Sequence, residues 1–348
     1  MKILGIESSC DDTSAALLEC SKSGCFVLRE STASQIAIHK KYGGVVPEIA
    51  GRMHAEKIIP LIEHVLDGQK PDAITAASGP GLITGLIVGV EAARTLSAAW
   101  KIPVIRVNHM AGHVHSVEIG KKKIEYPALA LIVSGGHTEI IKISGEGKYK
   151  MLGATRDDAA GECFDKAAKM LGLPYPGGPQ ISKLALKGKT NAIKFPRPML
   201  DSTNFDFSFA GLKTSALYYL RDNPLVIPSE SADRRRSRGI PSATINDFCA
   251  SFEQAIVDTL VGKMTRAIKK FQPKTVILCG GVSANKKLRE TLQDAVAQFP
   301  KIKYMIPEGH YCMDNAAMIA RAGFELTKNK KYTDWKKLKA DPNWELGR

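Results

Sequence analysis

Ile3-Leu4-Gly5-Ile6-Glu7-Ser8-Ser9-Cys10-Asp11-Asp12-Thr13-Ser14-Ala15-Ala16-Leu17-Leu18, near the start of the chain, has a counterpart near its middle. The counterpart is Leu129-Ala130-Leu131-Ile132-Val133-Ser134-Gly135-Gly136-His137-Thr138-Glu139-Ile140-Ile141-Lys142-Ile143. Each is an apolar run, a small polar turn and a second apolar run, which predicts strand, turn, strand twice over. A second unit follows each hairpin. After the first come a predicted strand at residues 73–77, the turn Gly79-Pro80-Gly81, a helix at 84–100, a strand at 103–107 and then Asn108-His109. After the second come a strand at 275–278, Gly280-Gly281, a helix at 284–298, a strand at 303–306, Glu308-Gly309-His310 and a helix around 314–322. Short β-branched runs alternating with longer helical stretches place the chain in the α/β class. Two similar lobes joined near residue 120 would face each other across a cleft onto which turns from both open. The stretch at about 150–250 has no match in the first half. It contains Tyr175-Pro176-Gly177-Gly178-Pro179 and an Arg-rich loop at 223–241, and it reads as a mostly helical insertion.

The length of 348 residues suits about two domains, and 44% hydrophobic with 24% charged residues is an ordinary soluble composition. No apolar run approaches the roughly 18 residues of a membrane span. Met1 to Glu7 goes straight into a strand without a charged leader or apolar signal core, so the cytoplasm is the expected compartment. Seven cysteines, at 10, 20, 25, 163, 249, 279 and 312, show no CxxC or metal-finger spacing. They read as reduced thiols. Lys and Arg number 49 against 35 Asp and Glu, a net charge of +14 that suits an anionic partner such as nucleic acid, although a solvated basic surface accounts for it as well. The basic clusters are Lys121-Lys122-Lys123, Arg234-Arg235-Arg236-Ser237-Arg238, and six lysines within residues 328–339.

His109-Met110-Ala111-Gly112-His113 puts two imidazoles four residues apart, on one face if the segment is helical. That face suits two ligands of one metal, although two histidines on a helix face need hold nothing. The symmetric place in the second half holds Asp314, whose carboxylate the two-lobe plan would bring to the same cleft. Two neutral nitrogens and a carboxylate suit iron(II) or zinc in a site with open positions. His115 is a decoy or supports the ligands. The intervening Met, Ala and Gly lack the general-base glutamate of an HExxH metalloprotease. There is no GxxxxGK[ST] loop. The two hairpin turns and Gly280-Gly281-Val282-Ser283-Ala284-Asn285 are the better phosphate cradles, because glycines admit close backbone approach and a helix N-terminus presents free N–H groups. Asp157-Asp158-Ala159-Ala160-Gly161-Glu162-Cys163-Phe164-Asp165 reads as the start of a helix whose acids complement its dipole. Asp165 lies deeper, and with Gly177-Gly178 it can grip a ribose or another polar ligand. Asp11 and Asp12 hold a metal, a water or a nucleophile, or cap their turn.

Taken in order, the segments 6–13, 109–113, 133–138, 157–165, Phe207-Ser208-Phe209-Ala210-Gly211-Leu212-Lys213-Thr214, 280–285 and Asp314-Asn315 resemble the signature of the universal tRNA threonylcarbamoyladenosine transferase family, formerly described as O-sialoglycoprotein endopeptidases. The resemblance spans nearly the whole chain. It implies the actin-like ATPase and sugar-kinase (ASKHA) fold: a ribonuclease-H-like lobe at 1–120 and a second at 121–348 carrying the insertion, with the C-terminal helix available to pack back on the first. It implies transfer of a threonylcarbamoyl group from threonylcarbamoyl-AMP to N6 of the adenosine 3′-adjacent to the anticodon, in tRNAs reading ANN codons. By motif, His109, His113 and Asp314 would ligate one divalent metal, Fe(2+) before Zn(2+), while Ile132, Val133, Ser134, Gly135, Gly136, Asp165, Gly178 and Asn285 would hold the adenylate. Asp11 is the candidate to accept the proton that leaves the adenine amine. Many relatives have an acid soon after the glycine loop where this chain has Ser182, and the Arg-rich segment 229–241 is longer than the family needs. Implied partners are the tRNA anticodon loop, a TsaB-like paralogue and a TsaE-like P-loop ATPase, with no membrane.

Overall fold

The strands of the computed structural model, which describes residues 1–223, 244–328 and 330–347, form two five-stranded sheets of one topology. The first contains β1 (Lys2–Glu7), β2 (Asp12–Ser21), β3 (Gly24–Ser34), β4 (Ala73–Gly79) and β5 (Val104–Asn108), ordered β3-β2-β1-β4-β5. The second contains β6 (Ala128–Val133), β7 (Thr138–Gly145), β8 (Lys148–Ala154), β9 (Thr275–Cys279) and β10 (Lys303–Met305), ordered β8-β7-β6-β9-β10. In each, the first strand pairs antiparallel with the second and parallel with the fourth. The recurrence read in the sequence is therefore a repeated sheet.

The helices are α1 (Ile36–His39), α2 (Pro47–Leu66), α3 (Ile83–Trp100), α4 (His109–His115), α5 (Ala160–Met170), α6 (Gly177–Ala185), α7 (Ala210–Asp222), α8 (Ile245–Phe271), α9 (Lys286–Ala297) and α10 (Ala316–Lys328). Helix α2 starts with proline at its first turn, where the missing N–H costs nothing. Thr244 and Asp247 close a capping box on α8. Helices α2 and α3 cover one face of the first sheet, with Ile58, Ile62, Val65 and Val90 against Leu4, Ile6, Leu17 and Ile74. Its other face is covered by α10, where Ala316, Ala317 and Ala320 meet Ile3, Ala16 and Leu18.

That contact is close enough to require glycine at position 5. A Cβ there would lie 2.1 Å from the Ala316 carbonyl oxygen. Gly5→Ala is expected to push α10 outward and cost about 1–3 kcal/mol, read as a lowered urea midpoint. Because Asp314 leads directly into α10, the same packing carries its carboxylate to the carboxyl ends of the first sheet's parallel strands.

A buried ionic network joins α4 and α10 to the second sheet. His115 Nδ1 lies 2.7 Å from Glu118 Oε2, and His115 Nε2 lies 2.7 Å from the hydroxyl of Tyr149 on β8. Arg321 donates to Glu118 (2.8 Å) and to Glu325. His115 is thus committed on the far side of its helix.

Three expectations are corrected. The cysteines are not all reduced: Cys20 and Cys25 face each other across the β2–β3 hairpin, Cα atoms 4.0 Å apart, and are joined as a disulfide. Asp157 and Asp158 precede α5 rather than open it. Asp157 instead accepts from the backbone N–H groups of Phe209 (2.7 Å) and Ala210 (3.1 Å) at the start of α7, while Asp158 pairs with Lys166 and Lys213. The helix expected around Asp314 begins at Ala316. The Arg234-to-Arg238 cluster and the whole 229–241 segment lie outside the described residues. Among the described residues no helix is long and apolar enough to cross a membrane.

Candidate active site

Strand β5 ends at Asn108, whose side-chain oxygen accepts from the N–H groups of Met110 (2.9 Å) and Ala111 (3.3 Å) and so starts α4 in a fixed direction. His109 and His113 then sit one turn apart, ring centroids 4.7 Å from each other. Gly112 lets α4 approach α10, since a Cβ there would lie 2.8 Å from Ile319 Cδ1. The approach brings Asp314 Oδ1 to 3.5 Å from His109 Nε2 and 3.1 Å from His113 Nε2. One ligand-type atom from each of the three residues lies within 4.8 Å of the others.

The surroundings prepare these groups for a cation. Glu7, fully buried at the end of β1, accepts from the Ser9 N–H (2.6 Å) and holds His109 Nδ1 at 2.9 Å; Ser9 Oγ is 3.1 Å from the same nitrogen. With its proton donated to Glu7 from Nδ1, His109 turns Nε2 toward Asp314, the carboxylate–histidine arrangement typical of metal ligands. His113 is fully buried, and neither ring nitrogen makes a well-formed hydrogen bond to a described residue. An imidazole left so is what a metal ligand looks like before its metal, so the three residues fit such a group. Burial works against a charged His109 ring, but Glu7 and Asp314 outweigh it and hold the ring up at about 9. Burial likewise opposes charge on Asp314, yet His109 and His113 hold its carboxyl well below the usual range. Glu7→Gln is expected to weaken zinc or cobalt binding by about 10- to 100-fold, measured by competition with a chelating dye.

The β6–β7 turn faces the same triad. Burial, and then the nearby His109 and His113, lower His137 to about 4. Ile132 and Val133 are fully buried in β6, so they place this turn rather than present side chains to a ligand. Ser134 is occupied within the turn, its N–H donating to the His137 carbonyl (2.8 Å) and its Oγ accepting from the His137 N–H (3.1 Å). Beside Gly135 and Gly136 a Cβ would meet nothing within 4 Å, which leaves that backbone open to close approach. Asp11 sits in the first-lobe turn. Burial raises its carboxyl, and so does the charge of Asp314; Asp11 in turn helps raise Asp165, where burial leads again. The acids therefore share one electrostatic environment between the lobes. Burial lifts neighbouring Asp12 to about 7.

Asp165 Oδ1 accepts from the Gly177 N–H at 2.7 Å, so its carboxylate fixes the glycine loop and the N-terminus of α6, beside Gly178. Asn285 accepts from the Leu288 N–H (2.8 Å) as the cap of α9, and its Nδ2 donates to Ser182 Oγ (3.0 Å) and Glu253 Oε1 (2.7 Å). Ser182 donates to the same Glu253 oxygen at 2.6 Å. Glu7, Ser9, His137 and Glu253 were assigned no role from the sequence. Glu7, Ser9 and His137 lie inside quoted motifs, but their residue types alone do not separate them from turn-capping or solvated groups. Glu253 lies mid-helix and carried no signal.

A family model described as "TsaD: tRNA N6-adenosine threonylcarbamoyltransferase" matches residues 26–321. The chain is 42% identical over 354 residues to a protein of Anaeromyxobacter sp. (strain Fw109-5), covering 99% of this chain and 100% of that one. It is 44% identical over 328 residues to a protein of Bacillus subtilis (strain 168), covering 93% and 90%. Both relatives carry the name tRNA N6-adenosine threonylcarbamoyltransferase. Among solved structures it resembles HypF of T. kodakarensis, with TM-score 0.63 and 12% identity over 97% of this chain and 49% of that one. It also resembles the activator of the 2-hydroxyisocaproyl-CoA dehydratase from Clostridium difficile, solved with bound ADPNP, with TM-score 0.51 and 12% identity over 96% and 99%. Those identities speak to the fold alone, which is the two-lobed ASKHA fold.

Proposed function

Because the chain belongs to the tRNA N6-adenosine threonylcarbamoyltransferase family, we propose that it moves the threonylcarbamoyl group from threonylcarbamoyl-AMP to N6 of the adenosine 3′-adjacent to the anticodon in tRNAs reading ANN codons. The observation that supports this reading is the convergence of His109, His113 and Asp314, beside which lies the turn of Gly135, Gly136 and His137. The donor is a mixed anhydride and already activated, so the work is to hold it, to stabilise charge on oxygen and to present the amine in line with the carbonyl. His109, His113 and Asp314 would hold a divalent metal, iron(II) or zinc, which when bound supplies a Lewis acid and template.

Every other part falls to the chain's own groups. Glu7 keeps the His109 proton on Nδ1. Gly135 and Gly136 give the adenylate a backbone it can approach, and Asp165 holds the Gly177-Gly178 helix start where free N–H groups attract an anion. Adenine N6 attacks the carbamoyl carbon, the bond from that carbon to the AMP phosphate oxygen breaks, and the N6 proton passes to Asp11, whose raised pKa suits it to accept one. The +14 charge matches a polyanionic acceptor, with the anticodon loop reaching the cleft as an unstacked single strand. The lobes divide at about residue 120, with α10 returning to the first. A TsaB-like paralogue and a TsaE-like ATPase act beside the chain in the cytoplasm.

The test incubates metal-loaded protein and those partners with threonylcarbamoyl-AMP and unmodified tRNA, then digests the RNA and measures nucleoside masses. Threonylcarbamoyladenosine is expected, and its formation should stop when a chelator strips the metal. No product from a folded, loaded chain overturns the reading.

A further inference from the structure

We propose that the C-terminal segment at 341–346 positions the metal helix: the Trp344 carbonyl fixes the Asn108 amide, and Asn108 fixes His109 and His113. This rests on the metal site proposed above. After α10 the chain runs back along the outer edge of the first sheet. There the Thr333 N–H donates to the Val104 carbonyl (2.8 Å), and the Arg106 N–H donates to Thr333 Oγ1 (3.2 Å). It then turns across the end of β4, where the Asp341 N–H donates to the Ser78 carbonyl (2.7 Å) and a Cβ at Gly79 would collide with the Asp341 carbonyl. Arg106 locks this turn twice, donating to Asp341 Oδ2 (2.9 Å) and lying 4.0 Å from the centroid of the Trp344 ring. Farther on, the Met151 N–H of β8 donates to the Gly347 carbonyl (3.2 Å), so the segment touches both sheets.

Arg106 and Asn108 are two apart on β5 and so share a face, which lets one turn of the chain engage both. Asn108 is 4% exposed, and its amide has two ends of opposite chemistry. The oxygen is taken by the N–H groups of Met110 and Ala111, so Nδ2 points away from α4 and needs an acceptor. The Trp344 carbonyl supplies it at 2.9 Å. Without that carbonyl a buried donor is unpaired and the amide loses the partner that holds its plane. Helix α4 has only seven residues, too few to keep a direction of its own. Its ligands are its first and fifth residues, so a tilt at Asn108 moves both imidazoles against Asp314, which α10 seats separately. Metal ligands tolerate about 0.5 Å of misplacement. Leu346, 6% exposed, adds a second hold by joining Met110 and Val114 of α4 in one apolar cluster.

The experiment measures zinc affinity by competition with a chelating dye, and the visible absorption of bound cobalt(II), on the full chain and its variants. Trp344→Ala removes the ring that Arg106 holds, while Asn108→Ser keeps a capping oxygen for α4 and removes the amide donor. Each is expected to weaken zinc binding about tenfold or more and to change the cobalt(II) spectrum, which reports ligand geometry. Trp344→Phe keeps a ring for Arg106 and should hold zinc affinity within about threefold of the unaltered chain. Urea unfolding of the metal-free proteins registers any general loosening separately. A lowered urea midpoint with unchanged zinc affinity and cobalt(II) spectrum, in Trp344→Ala and Asn108→Ser alike, makes the segment packing alone and overturns the proposal. Arg106→Gln frees Asp341 and Trp344 together; it replaces either variant that does not fold and must show the same loss. An unaltered chain that binds neither zinc nor cobalt(II) overturns the metal site itself.

Discussion

Chains carrying His109→Ala and His113→Ala together are expected to lose transfer activity by more than about a hundredfold and to purify without bound metal. The structure says why both effects should travel together. Neither imidazole is needed for the core: His113 makes no well-formed hydrogen bond among the described residues, and the one strong partner of His109 is Glu7. Removing the rings therefore empties the cation site while α4, capped by Asn108 and packed through Met110 and Val114, keeps its place. It also leaves Glu7 and Asp314 as buried carboxylates without a cation, so the double variant should be somewhat less stable in the absence of metal. Metal content by mass spectrometry, nucleoside mass after reaction with tRNA, and thermal melting separate these consequences. A variant that kept full activity would show that the chemistry does not depend on this triad.

The largest loss of stability is expected from Arg321→Ala, about 3–5 kcal/mol in urea unfolding at neutral pH. Arg321 is 6% exposed and binds Glu118 and Glu325, both buried; without it, Glu118 is left with His115 and the Ile124 N–H, and Glu325 with Lys328. Burial disfavours charge on Glu118, but the hydrogen bond from His115 and the charges of His115 and Arg321 prevail and lower its pKa from 4.5 to about 2. A carboxyl depressed in the fold contributes stability fully above its unfolded pKa and loses it as pH falls through the folded value. Stability should thus decline between about pH 4.5 and about pH 2 in the unaltered chain, and in Arg321→Ala the decline should begin at higher pH. An acid limb that does not move would mean that His115 and the Ile124 N–H suffice to hold Glu118.

What the sequence made legible follows a physical rule. Strands β1 and β6 are central, buried on both faces, and read as apolar runs. Strands β3 and β8 were missed because polar and charged residues interrupt them, whereas the other two edge strands, β5 and β10, were read. Arg29, Glu30, Ser31 and Thr32 sit where only one side is covered, and Lys148-Tyr149-Lys150 is similar. The Cys20–Cys25 bond depended on that unseen register, since only the β2–β3 pairing sets the two opposite each other. Asp314 was legible through the repeat, which places the same turn in each lobe. Glu7 and Glu253 were not, because nothing in one sequence separates a buried, aimed carboxylate from a solvated acid at a strand end or mid-helix. Asp157 was misread for a related reason. An acid before a helix usually serves that helix, and here it serves a different one, some fifty residues away.

The docking of α10 on the first sheet also sets an order of events during synthesis. Glu7, His109 and His113 leave the ribosome with the first third of the chain, but Asp314 and the helix that seats it come almost last. Until then one face of the first sheet, with Ile3, Ala16 and Leu18, lacks its cover, and the histidines lack their carboxylate partner. A growing or prematurely ended chain therefore cannot assemble the triad. It presents an apolar sheet face to the cell instead, so truncated products should be inert and recognised by quality control rather than partly active.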